Sequence, residues 1–176
     1  MVGIGSVGKD SLLRHLFGVE KETLNISPIP GSTTDVMVYD FQAKAPVRII
    51  NLPGFDDPAV EGAVWDQIRN CTLVIYMVDA ERVARGDESA RFRKVQSLSK
   101  GVEVVFNRCD LIATERFREL TQASVRRLAL DKEPVYLSLE GDEPRSRYFE
   151  EGLAELRRRI NAWMENQEKP KIFSEE

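Results

Sequence analysis

Side chains that build metal centres and disulfide frameworks are scarce in this sequence: one histidine, His15, and two cysteines, Cys71 and Cys109, among 176 residues. None of them stands at ligand spacing from another, which excludes a zinc site and a disulfide scaffold and makes a reducing cytoplasm the expected localisation. No apolar run approaches the roughly 18 residues of a membrane span, and the first residues lack the charged and apolar zones of a signal peptide. The chain reads as soluble. Positive charge is not in excess either: 25 Lys and Arg against 29 Asp and Glu give −4. A surface devoted to nucleic acid or anionic lipid is therefore not expected, beyond what a local basic patch could supply. No internal repeat is visible.

What is present is enough apolar residue, 42%, for one compact domain with a real core. Strand-length apolar runs alternate with stretches of helical periodicity, the pattern of a largely parallel sheet covered on both faces. A helix over 9–17 stops at Gly18, a C′ glycine. A polar loop leads to a strand over 36–41, and "VRIIN" follows at 47–51 as another. "AVEGAVWDQIRN" at 59–70 reads as a helix. "TLVIYMVDA" at 72–80 and "VEVVFN" at 102–107 are nearly continuous apolar runs, so both belong at the sheet centre. Residues 87–100 and 114–130 are amphipathic helices, the second opening on Thr114 as an N-cap. A strand over 134–139 and a last helix over 149–164 complete the order, leaving "ENQEKPKIFSEE" as a polar tail expected to be mobile. The domain is expected to span 1–165 and the tail 166–176.

The stretch that carries chemistry is "GIGSVGKDSLLRHLFG", residues 3–18. Gly3, four residues, then Gly8 and Lys9 before an apolar-periodic run is the layout of a loop that wraps phosphates at a helix start. Glycines let backbone N–H groups approach phosphate oxygens without a Cβ clash, and Lys9 places a positive charge beside them. Such a loop is launched from a buried strand, yet only Met1 and Val2 precede it. Either that strand is a stub or the sequence begins late. The second is favoured, because a missing central strand leaves its neighbours with unpaired backbone groups at about 1–3 kcal/mol each.

Further motifs arrive in order. "FNRCD" ends a buried strand and puts Asn107 and Asp110 at the carboxyl edge of the sheet, where open α/β folds bind ligands. At this point the sequence resembles the translation-factor class of P-loop GTPases, specifically the Era- and TrmE-like small GTPase domains, from Gly3 to about Met164. "GIGSVGKD" resembles the phosphate loop, "PGSTTD" the first switch with its threonine at Thr33, "NLPG" the second switch, "NRCD" the guanine-reading N-K-x-D, and "LSLE" at 137–140 the S-A-K loop. The resemblance implies a G domain with a mostly parallel six-stranded sheet, an antiparallel edge strand at 36–41, and a first strand truncated in this chain. It implies GTP/GDP and Mg²⁺ as ligands. The phosphate loop would contribute Gly3, Gly5, Ser6, Val7, Gly8, Lys9, Asp10 and Ser11. Asp110 would accept hydrogen bonds from N1–H and the N2 amino group of guanine, a pattern adenine cannot present. Asn107 would tie the base edge to the phosphate loop, the stem of Arg108 would cover the base plane, and Ser138 with the N–H of Leu139 would close the pocket.

Two positions depart from the family. The hydroxyl that follows the lysine and ligates Mg²⁺ is here Asp10, and the aspartate that opens the second switch motif is here Asn51. One position gains the carboxylate that the other loses. A swapped metal shell is one reading, since Mg²⁺ is held by one or two carboxylates with phosphates and waters. Decay into a pseudo-GTPase that serves as an interaction module is the other. Thr33 would complete the metal shell. Lys9, Thr33 and the N–H of Gly54 would serve hydrolysis, which the resemblance implies to be slow, with Phe55 standing where Ras-type GTPases carry glutamine. Asp56, Asp57 and Glu61 are read as solvated acids. In potassium-stimulated members an asparagine contacts the ion where this sequence has Ser6. Trp65 and Trp163 are read as packing groups and Arg157–Arg159 as a solvated helix face. A protein partner or effector is implied without an identity.

Overall fold

The computed structural model describes residues 1–3, 7–18, 37–42, 46–52, 61–139 and 147–174. Strand β1 (Val2–Gly3) leads to helix α1 (Lys9–Phe17), and β2 (Met37–Gln42) and β3 (Pro46–Asn51) form an antiparallel hairpin. Then follow α2 (Glu61–Asn70), β4 (Val74–Asp79), α3 (Gly86–Leu98), β5 (Val102–Asn107), α4 (Thr114–Leu128), β6 (Val135–Tyr136) and α5 (Arg147–Asn166). Strands β1, β4, β5 and β6 form a parallel sheet in that order, with β4 and β5 central as their continuous apolar character requires.

The expectation of a single six-stranded sheet needs adjustment. Among the described residues the ladders divide into four strands and two. Two backbone hydrogen bonds nevertheless bridge the groups: the Met1 amino group donates to the Ile50 carbonyl, and the Leu52 N–H donates to the Met1 carbonyl at 3.0 Å. One residue exchanging bonds with the neighbours on either side of Asn51 is a parallel contact. It sets β3 beside β1. Below Met1 a cavity of about 370 Å³ opens between β3 and the start of β4, lined by Ile49, Ile50, Leu73 and Ile75.

The period of two along β4 sends its side chains to opposite faces. Val74, Tyr76 and Val78 meet Trp65, Ile68, Phe92 and Leu128 from α2, α3 and α4, while Ile75 and Met77 meet Leu12, Leu16, Leu156 and Ile160 from α1 and α5. Both tryptophans pack: Trp65 is buried with Lys94 over its ring, and Trp163 donates to the Thr72 carbonyl.

Three local expectations fail for identifiable reasons. Helix α4 has Ala113 at its cap position, so Thr114 is its first helical residue. The basic run is largely anchored: Arg157 donates to the His15 carbonyl, and Arg159 binds Glu155 and faces Glu103, a buried carboxylate on β5 that Lys132 also pairs. Arg158 alone of the three is exposed. The tail folds back as well. Asn161 accepts from the N–H groups of Ile172 and Phe173 and donates to the Phe173 carbonyl, which seats Phe173 beside Phe17 of α1.

Candidate functional site

The carboxyl ends of β1, β3 and β5 meet the start of α1: Gly3 leads toward it, Asn51 touches Asp10 and Asn107 touches Val7. Gly3 lies so close to β4 that a Cβ would meet the Met77 carbonyl oxygen at 2.7 Å, which excludes any other residue. Gly8 caps α1 with φ 93, the left-handed region that glycine enters without cost, and its carbonyl accepts the Leu12 N–H. Lys9, Asp10 and Ser11 therefore form the first helical turn, whose leading N–H groups and dipole attract anions. Gly5, Ser6, Thr33 and Gly54 lie outside the described residues, as do Phe55, Asp56 and Asp57.

Asp10 and Asn51 touch. The Asn51 amide donates to the Asp10 carboxylate at 2.6 Å, and Asn51 is 4% exposed while Asp10 is exposed. Its other atom, Oδ1, is buried with no hydrogen-bond partner. The pair lies near Tyr39, whose hydroxyl is pushed upward in pKa by burial and then by the charge of Asp10. Among the described residues no three His, Cys, Asp or Glu side chains gather as a metal cage. The Mg²⁺ that the resemblance implies does not require one. It takes hard oxygen ligands, and it keeps waters and phosphates for most of its shell. The Asp10 carboxylate and the orphaned Asn51 Oδ1 fit that donor chemistry.

Asn107 ends β5, fully buried. Its amide nitrogen donates to the Val7 carbonyl at 2.9 Å and its amide oxygen accepts the Leu139 N–H at 3.2 Å. One side chain thus joins the phosphate loop to the 137–139 segment. The Leu139 N–H expected to face the base is engaged by Asn107 in this arrangement. Ser138 is buried beside it, and Asp110 is exposed in a short 3₁₀ turn, Cys109–Leu111. Cys109 locks that turn: its N–H donates to the Leu137 carbonyl and its Sγ to the Phe106 carbonyl. Burial pushes its thiol up to about 12, and the side chain packs at 2% exposure. A cavity of about 980 Å³ beyond Asp110 is lined by α4 residues with Tyr136 and Tyr148, and neither Asn107, Ser138 nor Lys9 borders it.

Arg108 adopts φ 70, ψ 31, unusual for a residue with a side chain. Its guanidinium lies 3.4 Å from Asp79 and 3.5 Å from Glu81. Neither acid is singled out by sequence motifs. The available signal was positional, since Asp79 ends β4 as Asn107 ends β5, and the two are register partners.

A family model described as a 50S ribosome-binding GTPase matches residues 1–108. GTPase Era of Afipia carboxidovorans is 24% identical over 182 positions, covering 100% of this chain and 55% of that protein. GTPase Der of Campylobacter hominis is 28% identical, covering 62% and 25%. The tRNA modification GTPase MnmE of Cupriavidus pinatubonensis is 34% identical, covering 46% and 18%. The chain thus spans about half the length of these relatives or less. Among solved structures, the G domain of the T. maritima FeoB iron transporter superposes with TM-score 0.63 at 22% identity, over 92% of this chain and 94% of that one. Translation elongation factor SelB of Methanococcus maripaludis, in complex with the GTP analogue GppNHp, gives 0.65 at 16% identity, over 94% and 33%. These likenesses show the fold, an α/β G domain. Because the matched residues run from β1 through the phosphate loop to Asn107 and Arg108, this chain belongs to the 50S ribosome-binding GTPase family, Era- and TrmE-like P-loop GTPases of the translation-factor class.

Proposed function

We propose that this chain is a guanine-nucleotide switch that binds GDP and GTP with Mg²⁺ across the start of α1 and hydrolyses GTP slowly. The observation that carries the reading is the Asn107 bridge, which joins the phosphate loop to the 137–139 segment. A ligand with a base at one end and phosphates at the other needs those two segments joined. Lys9 and the helix N-terminus would hold phosphate charge, and Asp110 would read N1–H and the N2 amino group. Asp10 and Asn51 would hold Mg²⁺, which when bound neutralises phosphate charge. Thr33 and Gly54 would serve the γ-phosphate from the switch segments. Residues 1–165 form the G domain in this reading, working in the cytoplasm with a protein effector.

A second reading rests on the same Asp10–Asn51 contact. With its carboxylate at the helix N-terminus, Asp10 competes with phosphate for the dipole, and without metal it would repel a phosphate charge about 4 Å away by about 4 kcal/mol at an effective dielectric of 20. A pseudo-GTPase interaction module would follow. Calorimetric titration with GDP and GTP, with and without Mg²⁺, separates the two. The switch reading expects binding that strengthens with Mg²⁺, weakens on Lys9→Ala, and on Asp110→Asn shifts toward xanthine nucleotides. Absence of binding under every condition leaves the interaction module.

A further inference from the structure

Resting on the guanine-nucleotide reading, we infer that Asp79, assisted by Glu81, is a positioning residue for the base: it anchors the guanidinium of Arg108 so that the arginine stem is held as a wall of the guanine pocket. The anchor is built in layers. Asp79 ends β4 directly across the ladder from Asn107, and the Ala80 N–H donates to the Asn107 carbonyl at 3.0 Å, so Asp79 cannot drift relative to the base loop. Its Oδ1 accepts the Glu81 N–H at 3.0 Å, leaving Oδ2 to face Arg108 Nη1 at 3.4 Å. The Asp79 and Arg108 side chains are only 18% and 21% exposed, which limits solvent screening of the pair.

Behind Asp79 stands a second arginine. Arg82 approaches the same Oδ2 at 3.9 Å but is committed elsewhere: it binds Glu88 at 2.6 and 3.1 Å, and Glu88, 2% exposed, also accepts the Arg85 N–H at 2.7 Å. The start of α3 therefore fixes Arg82. Arg82 lends Asp79 positive potential without taking its near oxygen from Arg108. The left-handed backbone at Arg108 turns the chain out of the extended path of β5. A guanidinium tied at its far end holds the three-carbon stem extended, whereas an untied arginine samples many rotamers and would cover a base only part of the time.

The test uses the full chain and a fluorescent GDP, with the dissociation rate as readout. Asp79→Asn removes the charge at constant shape and is expected to speed release by about 3- to 30-fold, in the range of coupled neighbours. In the Arg108→Ala background the same substitution should change the rate by less than about twofold. Asp79→Glu, which keeps the carboxylate, should recover part of the loss. Equal acceleration by Asp79→Asn with and without Arg108 would overturn the inference, because Asp79 would then act on the fold in general. Release unchanged by Asp79→Asn in a parent that binds GDP would overturn it too. A parent chain that binds no fluorescent GDP would fell the underlying nucleotide reading and this inference with it.

Discussion

Two asparagines each end a strand, Asn51 of β3 and Asn107 of β5, and they are finished to different degrees. Asn107 at the end of β5 uses both atoms of its amide, one on Val7 and one on Leu139. Asn51 at the end of β3 uses only its nitrogen, on an exposed carboxylate, and leaves its buried oxygen without a partner. A buried polar atom left alone costs free energy that the fold must offset elsewhere. Asn107 is satisfied by its own protein partners, whereas one buried oxygen of Asn51 is not. That difference suits the proposed switch, which would select one base beside Asn107 and answer to phosphates beside Asn51.

The contrast can be broken most directly by truncating each asparagine in the absence of nucleotide. Asn107→Ala strands the Val7 carbonyl and the Leu139 N–H in the interior and should lower stability by about 2–5 kcal/mol. Asn51→Ala, which removes an orphan along with one half-exposed bond, should cost under about 1 kcal/mol. Denaturant midpoints at fixed m-value read both. Equal losses would abolish the distinction.

A smaller effect sharpens it. Asp10→Ser leaves the phosphate end with no carboxylate, and Asn51→Asp gives it two in contact, so each change alone should weaken Mg²⁺-supported GTP binding. The double change restores one carboxylate and should recover it, with a coupling of about 0.5–3 kcal/mol in a double-mutant cycle. An additive cycle, or a better Mg²⁺-dependent GTPase from Asp10→Ser alone, would make Asp10 a lesion and favour the interaction module.

The smallest effect serves as a reference remote from both asparagines. Arg158 and then Arg159, each by a side-chain hydrogen bond, hold the Glu155 carboxyl down to about 2. A carboxylate with a depressed native pKa adds stability that is full above its unfolded value and is lost as pH falls from about 4.5 toward about 2. Glu155 is one-third exposed, so the loss should stay below about 1 kcal/mol. Acid titration of stability in the parent and in Glu155→Gln should show it vanish in the variant, and persist equally in the Asn51 and Asn107 variants.

The central strands were legible because a run buried on both faces has no polar alternation to misread, as 72–80 and 102–107 show. Gly18 was legible because a helix end in the left-handed region favours glycine, and it caps α1 at φ 63. The tie from Asn107 to the phosphate loop was implied by the family resemblance, and its second bond, to the Leu139 N–H, was not foreseen. What escaped depends on residues far apart in sequence. The charged run at 157–159 looks solvated until Glu103 is set opposite Arg159 by the β5–α5 packing. The tail looked mobile because the polar residues 165–171 mask two apolar ones behind them, and only the fold brings Asn161 to Ile172 and Phe173. Asp10 and Asn51 were read as paired departures from the family's metal shell, and their direct hydrogen bond could be seen only once β3 was placed beside β1.

That returning tail has a mechanical side. Helix α1 carries Lys9 at one end, and at its other end Phe17 meets Phe173 while Arg157 grips the His15 carbonyl. Any displacement of α1 along its axis is therefore geared to α5 and to the last described residues. Ile172 and Phe173 thus pack at the end of α1 remote from Lys9, the residue proposed to hold phosphate.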